Sequence, residues 1–79
     1  MMKNATDSQK QFRDLELELR QIQDPRQSRL AGSFSAFQAW LEQDHPQIIQ
    51  RAKIIALDVR LWRDTQDVLR QLWEHVYCL

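Results

Sequence analysis

The 79-residue chain has very few residues that break helices or cross-link a small fold: one glycine, two prolines and one cysteine. A single cysteine, Cys78, excludes an internal disulfide framework and fits a reducing compartment. A single glycine excludes the glycine-rich loops that bind phosphates and dinucleotides. So few turn residues also argue against β-strands, while abundant leucine, glutamine, glutamate and arginine favour helix.

Neither sign of charge dominates the chain, because eleven basic and eleven acidic side chains give a net charge of zero. Nucleic-acid-binding proteins usually show a basic stripe or a high isoelectric point, and this composition shows neither. No apolar run approaches the roughly 18 residues of a membrane span. The polar first residues also lack the apolar segment of a signal peptide. We therefore expect a cytoplasmic protein with no membrane partner.

Residues 8–79 are expected to form a single helical domain, preceded by a flexible tail over residues 1–7. Apolar side chains recur at three- and four-residue steps from Phe12 to Ile22, which predicts a first helix over about residues 8–23. The sequence leaves open whether this helix folds back onto the others or extends away from them.

Two further helices are predicted to begin where an N-capping aspartate precedes a proline, at Pro25 and again at Pro46. The second helix then covers about residues 25–43. A long third helix covers about residues 45–77. A later start of the second helix, at Ser33, is the alternative.

The short link between the second and third predicted helices makes them an antiparallel hairpin. Their apolar stripes fall in register, with large side chains opposite small or branched ones, as interdigitating layers prefer. The fold class is therefore all-α, with a long C-terminal helix packed on the other two. The predicted hairpin core consists of Leu30, Phe34, Phe37, Leu41, Ile48, Ala52, Ile55, Val59, Trp62, Leu69 and Trp73.

The third predicted helix is apolar on more than one face, and a single chain offers too few neighbours to cover all of it. We expect a dimeric four-helix-type bundle in which a second copy, or another partner, covers the remaining row. This predicted interface row consists of Ile54, Leu61, Val68 and Leu72, with Trp40 beside it. A monomeric three-helix bundle, in which the first helix covers the row, is the alternative.

Residues for catalysis or for binding a cofactor are not recognisable in the sequence. His75 and Cys78 lie one helical turn apart and could both bind a metal, but two ligands are too few for a site. Paired-cysteine motifs and the His-Glu-x-x-His motif do not occur. The sequence therefore predicts neither an enzyme nor a cofactor.

The sequence predicts a small, self-associating protein–protein interaction module that acts as an adaptor, inhibitor or co-chaperone of an unidentified protein. The hairpin layout and the helix start at Asp44, Pro46 and Gln47 resemble the small hairpin co-chaperones of type III secretion. That resemblance rests on the layout and these three residues, and implies that a partner is held. The alternative is a small helical DNA-binding regulator that uses a helix-turn-helix.

Overall fold

The computed structural model describes the backbone of residues 4–78 and the side chains of residues 7–78. Within this range the chain is all-helical, as the sequence predicts. The predicted tail lies partly outside the described residues, and the first helix already begins at Asn4. The elements are α1 (Asn4–Gln21), a 3-10 helix (Pro25–Gly32), α2 (Phe34–Asp44), α3 (Pro46–Ile55) and α4 (Thr65–Tyr77).

The second predicted helix is divided at Ser33, so the prediction of one continuous α-helix was wrong. Its first part is the 3-10 helix, which opens with a capping box. The Asp24 carboxylate accepts a hydrogen bond from the Arg26 backbone N–H, and the Gln27 side chain accepts one from the Asp24 backbone. Ser33 has an extended backbone, and its Oγ accepts a hydrogen bond from Ala36 N at 3.1 Å. The alternative start at Ser33 is therefore the one observed.

The prediction of a long helix over residues 45–77 was also wrong, because the chain leaves the helix after Ile55 and re-enters it at Thr65. Two aspartates between these points satisfy nearby backbone N–H groups with their side chains. Asp58 Oδ1 accepts from Arg60 N at 3.3 Å, and Asp64 Oδ1 accepts from Asp67 N at 2.9 Å. Such local hydrogen bonds compete with the helix, and the second of them caps α4.

The break lets α4 turn back and pack against α1 and α3. A straight helix over the predicted range would be about 50 Å long, whereas the longest extent of the folded chain is 42 Å. α1 folds back onto the other helices, which answers the question that the sequence left open. The core draws on every helix and consists of Phe12, Leu15, Leu19, Leu30, Phe37, Trp40, Leu41, Ile48, Ala52, Ile55, Trp62, Val68, Leu69 and Leu72.

Polar side chains fasten the 3-10 helix to its neighbours. Gln27 Nε2 donates hydrogen bonds to the Leu19 carbonyl at 3.3 Å and to the Tyr77 hydroxyl at 2.9 Å. Trp73 Nε1 donates to the Leu30 carbonyl at 2.6 Å. These contacts join the end of α1, the 3-10 helix and the end of α4.

Asp24 and Arg26 connect the start of the 3-10 helix to α2. The Asp24 carboxylate accepts hydrogen bonds from Arg26 Nη2 at 2.7 Å and from Trp40 Nε1 at 3.1 Å. The same guanidinium contacts Asp44 at 2.5 Å. The hydrogen bonds from Arg26, and then that from Trp40, hold the pKa of Asp24 well below its ordinary range.

Candidate interaction surface

Most of the predicted hairpin-core residues lie in the core of the folded chain, and Phe34 and Trp73 are half-buried against it. The prediction that Val59 lies in the hairpin core was wrong, because it is among the most exposed apolar side chains of the described residues. The helical stripe that was to bury Val59 ends at Ile55, so the residue lies in a turn instead.

The predicted interface row is divided by the same break. Val68 and Leu72 are fully buried within the chain, because α4 turns this face towards α1 and α3. Trp40, which the sequence predicts beside the row at the interface, is also buried. Leu61 is half-buried, and Ile54 is the one residue of the row that is exposed. Most of the row on which the four-helix dimer was predicted is therefore covered within the single chain.

Three exposed apolar side chains lie close together where α3 ends. Ile54 is 59% exposed, Leu57 77% and Val59 78%. All three line one shallow, open depression of about 450 Å³, which α1 borders on its other side. Isolated apolar residues on a surface are ordinary, but a cluster in a depression is typical of an interaction site. We call these three residues the apolar patch.

The turn displays Leu57 and Val59 because the charged residue between them is drawn inward. The Asp58 side chain is only 12% exposed, and its carboxylate accepts a hydrogen bond from Ser8 Oγ on α1 at 2.8 Å. Arg60 Nε lies 3.1 Å from the same carboxylate. These hydrogen bonds, with that from Ser8 the largest cause, lower the pKa of Asp58. An ionised, anchored aspartate therefore fixes the turn with its apolar residues outward.

A second, smaller hollow of about 110 Å³ adjoins the first one. Gln11 and Ile54 border both hollows, so together they form one continuous depression between α1 and α3. Arg51 lines the smaller hollow, where its Nη1 lies 2.6 Å from Glu18 Oε1. Asp14 lines the same hollow from α1. The depression thus has an apolar wall on one side and charged groups along its rim.

The two residues that could have shared a metal do not converge. His75 Nδ1 lies 2.6 Å from Glu16 Oε2 on α1, and Cys78 Sγ lies 3.5 Å from the Ala31 carbonyl. Among the residues that the structure describes, no three histidine, cysteine, aspartate or glutamate side chains could hold a metal ion together. None of the described helices has both the length and the apolar character that a membrane crossing needs.

Sequence reasoning missed the role of Leu57 and Asp58 in this surface. A signal was present, because apolar and charged residues alternate strictly from Leu57 to Leu61. A period of two interrupts the helical period that precedes and follows it, and so could have marked the turn.

Comparison with known proteins identifies no relative of this chain. No protein-family model matches it, and neither does any curated protein or any solved structure.

Proposed function

We propose that the chain is a small non-enzymatic helical module that binds another protein through the apolar patch. The observation that carries the proposal is the inverted polarity of the turn, where Leu57 and Val59 are exposed on either side of an inward-drawn Asp58. Each such side chain would gain about 1.5–3 kcal/mol on full burial by a partner. The fold draws little stability from them, so they remain available for binding.

Adaptor, inhibitor and co-chaperone are roles that differ in the identity of the partner and not in the kind of surface used. Self-association is one way to cover the patch, and it stays a prediction. Val68 and Leu72 are buried within the chain, whereas the patch holds three of the four exposed large apolar side chains of the described residues, so a second copy could dock there.

A DNA-binding helix-turn-helix is the second candidate function. It is favoured by the short α3, which follows α2 after one residue and exposes Gln47, Gln50 and Lys53. Charge argues against it, because Glu42 is exposed beside the start of α3, Asp44 offsets the charge of Arg26, and the net charge is zero. Contacts with phosphates supply most of the affinity of such proteins, and this surface has no excess of positive charge to make them.

Site-specific photo-cross-linking tests the proposal in the native cell. A photoreactive phenylalanine analogue is placed at Leu57 and, as a matched control, at Leu17, which is 53% exposed on α1 and lies outside the depression. We expect a discrete cross-linked species from position 57 and none from position 17. The same pattern from both positions contradicts the proposal. Salt-sensitive binding to a random-sequence DNA duplex would favour the second candidate.

A further inference from the structure

We infer that the apolar patch receives a single amphipathic helix of a partner protein, with lysine or arginine along the edge of its apolar face. The inference rests on the proposed function and specifies the chemistry of the partner. It follows from the size of the patch, the length of the depression and the charge of its rim.

The size of the apolar patch suits one helix better than a second folded copy. Three partly exposed side chains offer on the order of 400 Å² of apolar surface, the size of the largest patch on an ordinary monomer. A stable interface between two globular proteins buries about 800 Å² on each partner. A helix that docks in a groove instead makes its contacts through a few apolar anchors spaced over two or three turns.

The length of the depression agrees with such an occupant. Along α1 it is bordered from Asp7 to Asp14, which is two helical turns or about 10 Å. The opposite side carries the three patch residues. Two turns of a partner helix, with apolar residues at positions i, i+3 or i+4, and i+7, would span this distance.

The charge of the rim favours basic residues on the partner. Both arginines that line the depression are already held by carboxylates, Arg51 by Glu18 at 2.6 Å and Arg60 by Asp58 at 3.1 Å. Three aspartates, Asp7, Asp14 and Asp58, line the depression against these two arginines, so its lining has one more negative than positive charge. A second copy would bring the same negative rim against it, and like charges facing each other disfavour association. A helix edged with lysine or arginine is complementary.

Two synthetic peptides of about 18 residues, long enough to form helix, test the inference on the full chain. Both carry leucines at the stated spacing on an alanine background, and their edge positions are lysine in one and glutamate in the other. By titration calorimetry we expect the lysine peptide to bind about tenfold more tightly or better, with a difference that shrinks as salt is added. Leu57→Asp and Val59→Asp should each weaken it about tenfold, and Leu17→Asp should not.

Several outcomes would overturn the inference. Equal binding of the two peptides would show that the charge of the rim does not select the partner. Equal weakening by Leu17→Asp would show that the peptide does not bind at the apolar patch. A dimer of the free chain, detected by sedimentation and dissociated by Leu57→Asp, would assign the patch to a second copy. If neither peptide binds while the cross-link from position 57 still forms, the partner of the patch is not an amphipathic helix. The last two results leave the proposed function standing.

Discussion

Val59 and Val68 provide a matched pair of substitutions for testing the break between α3 and α4. Val59 is 78% exposed and Val68 is fully buried, although helical periodicity assigns Val59 to the core. Truncation of Val68 to alanine removes two carbons from the core, at about 0.8 kcal/mol each, and leaves a cavity. We expect Val68→Ala to lower the free energy of unfolding by about 2–3 kcal/mol. Val59→Ala should change it by less than about 0.5 kcal/mol.

Urea and thermal unfolding followed by far-UV circular dichroism measure both variants. In a domain of this size 1 kcal/mol corresponds to about 4–8 °C in Tm, so Val68→Ala should lower the Tm by roughly 10–20 °C. The urea dependence of unfolding should stay the same, because the folded states bury similar surfaces. If Val59→Ala lowers the free energy of unfolding as much as Val68→Ala does, Val59 does not lie exposed in a turn between α3 and α4.

Two further predictions concern side chains inside the fold. Trp73 Nε1 donates a hydrogen bond to the Leu30 carbonyl, whereas no described residue accepts one from Trp62 Nε1. In urea unfolding, Trp62→Phe should therefore lower the free energy of unfolding by about 1 kcal/mol less than Trp73→Phe does. The reverse order would contradict these contacts. The lowered pKa of Asp24 contributes stability that is fully present above its unfolded pKa of about 4 and is lost as the pH falls below that value. Asp24→Asn should therefore flatten the decrease of the urea midpoint between about pH 4 and pH 2, and parallel curves for variant and parent would refute this role.

Local sequence chemistry predicted the class of the fold and several of its boundaries. Leucine-rich composition and apolar steps of three and four predicted helices, and the two prolines marked real starts at Pro25 and Pro46. The predicted aspartate cap is confirmed only for Asp24, because Asp44 is the last residue of α2 and the N-cap of α3 is His45, which makes no side-chain capping hydrogen bond. The same spacing failed after Ile55, because helical periodicity takes no account of the Asp58 and Asp64 side chains, which bond nearby backbone N–H groups there. A contact that is distant in sequence adds to this local effect. Ser8 Oγ, fifty residues away, donates the hydrogen bond that draws Asp58 inward.

The candidate site was harder to predict than the helices, because exposure depends on which elements pack together. Helical periodicity groups Ile54 with Val68 and Leu72 on one row of one helix. Once the helix divides, α4 buries the last two while Ile54 remains on the surface with Leu57. Residue spacing alone does not predict the direction in which α4 packs against α1 and α3.

Cross-linking from position 57 in the native cell tests most directly whether the apolar patch binds a partner. We expect a discrete species from a photoreactive residue at Leu57, and its loss when Val59→Asp is introduced into the same chain. The equivalent probe at Leu17 should give no such species, although that side chain is also exposed. Cross-linking that is absent from position 57, or that is equally strong from position 17, would contradict a binding role for the patch.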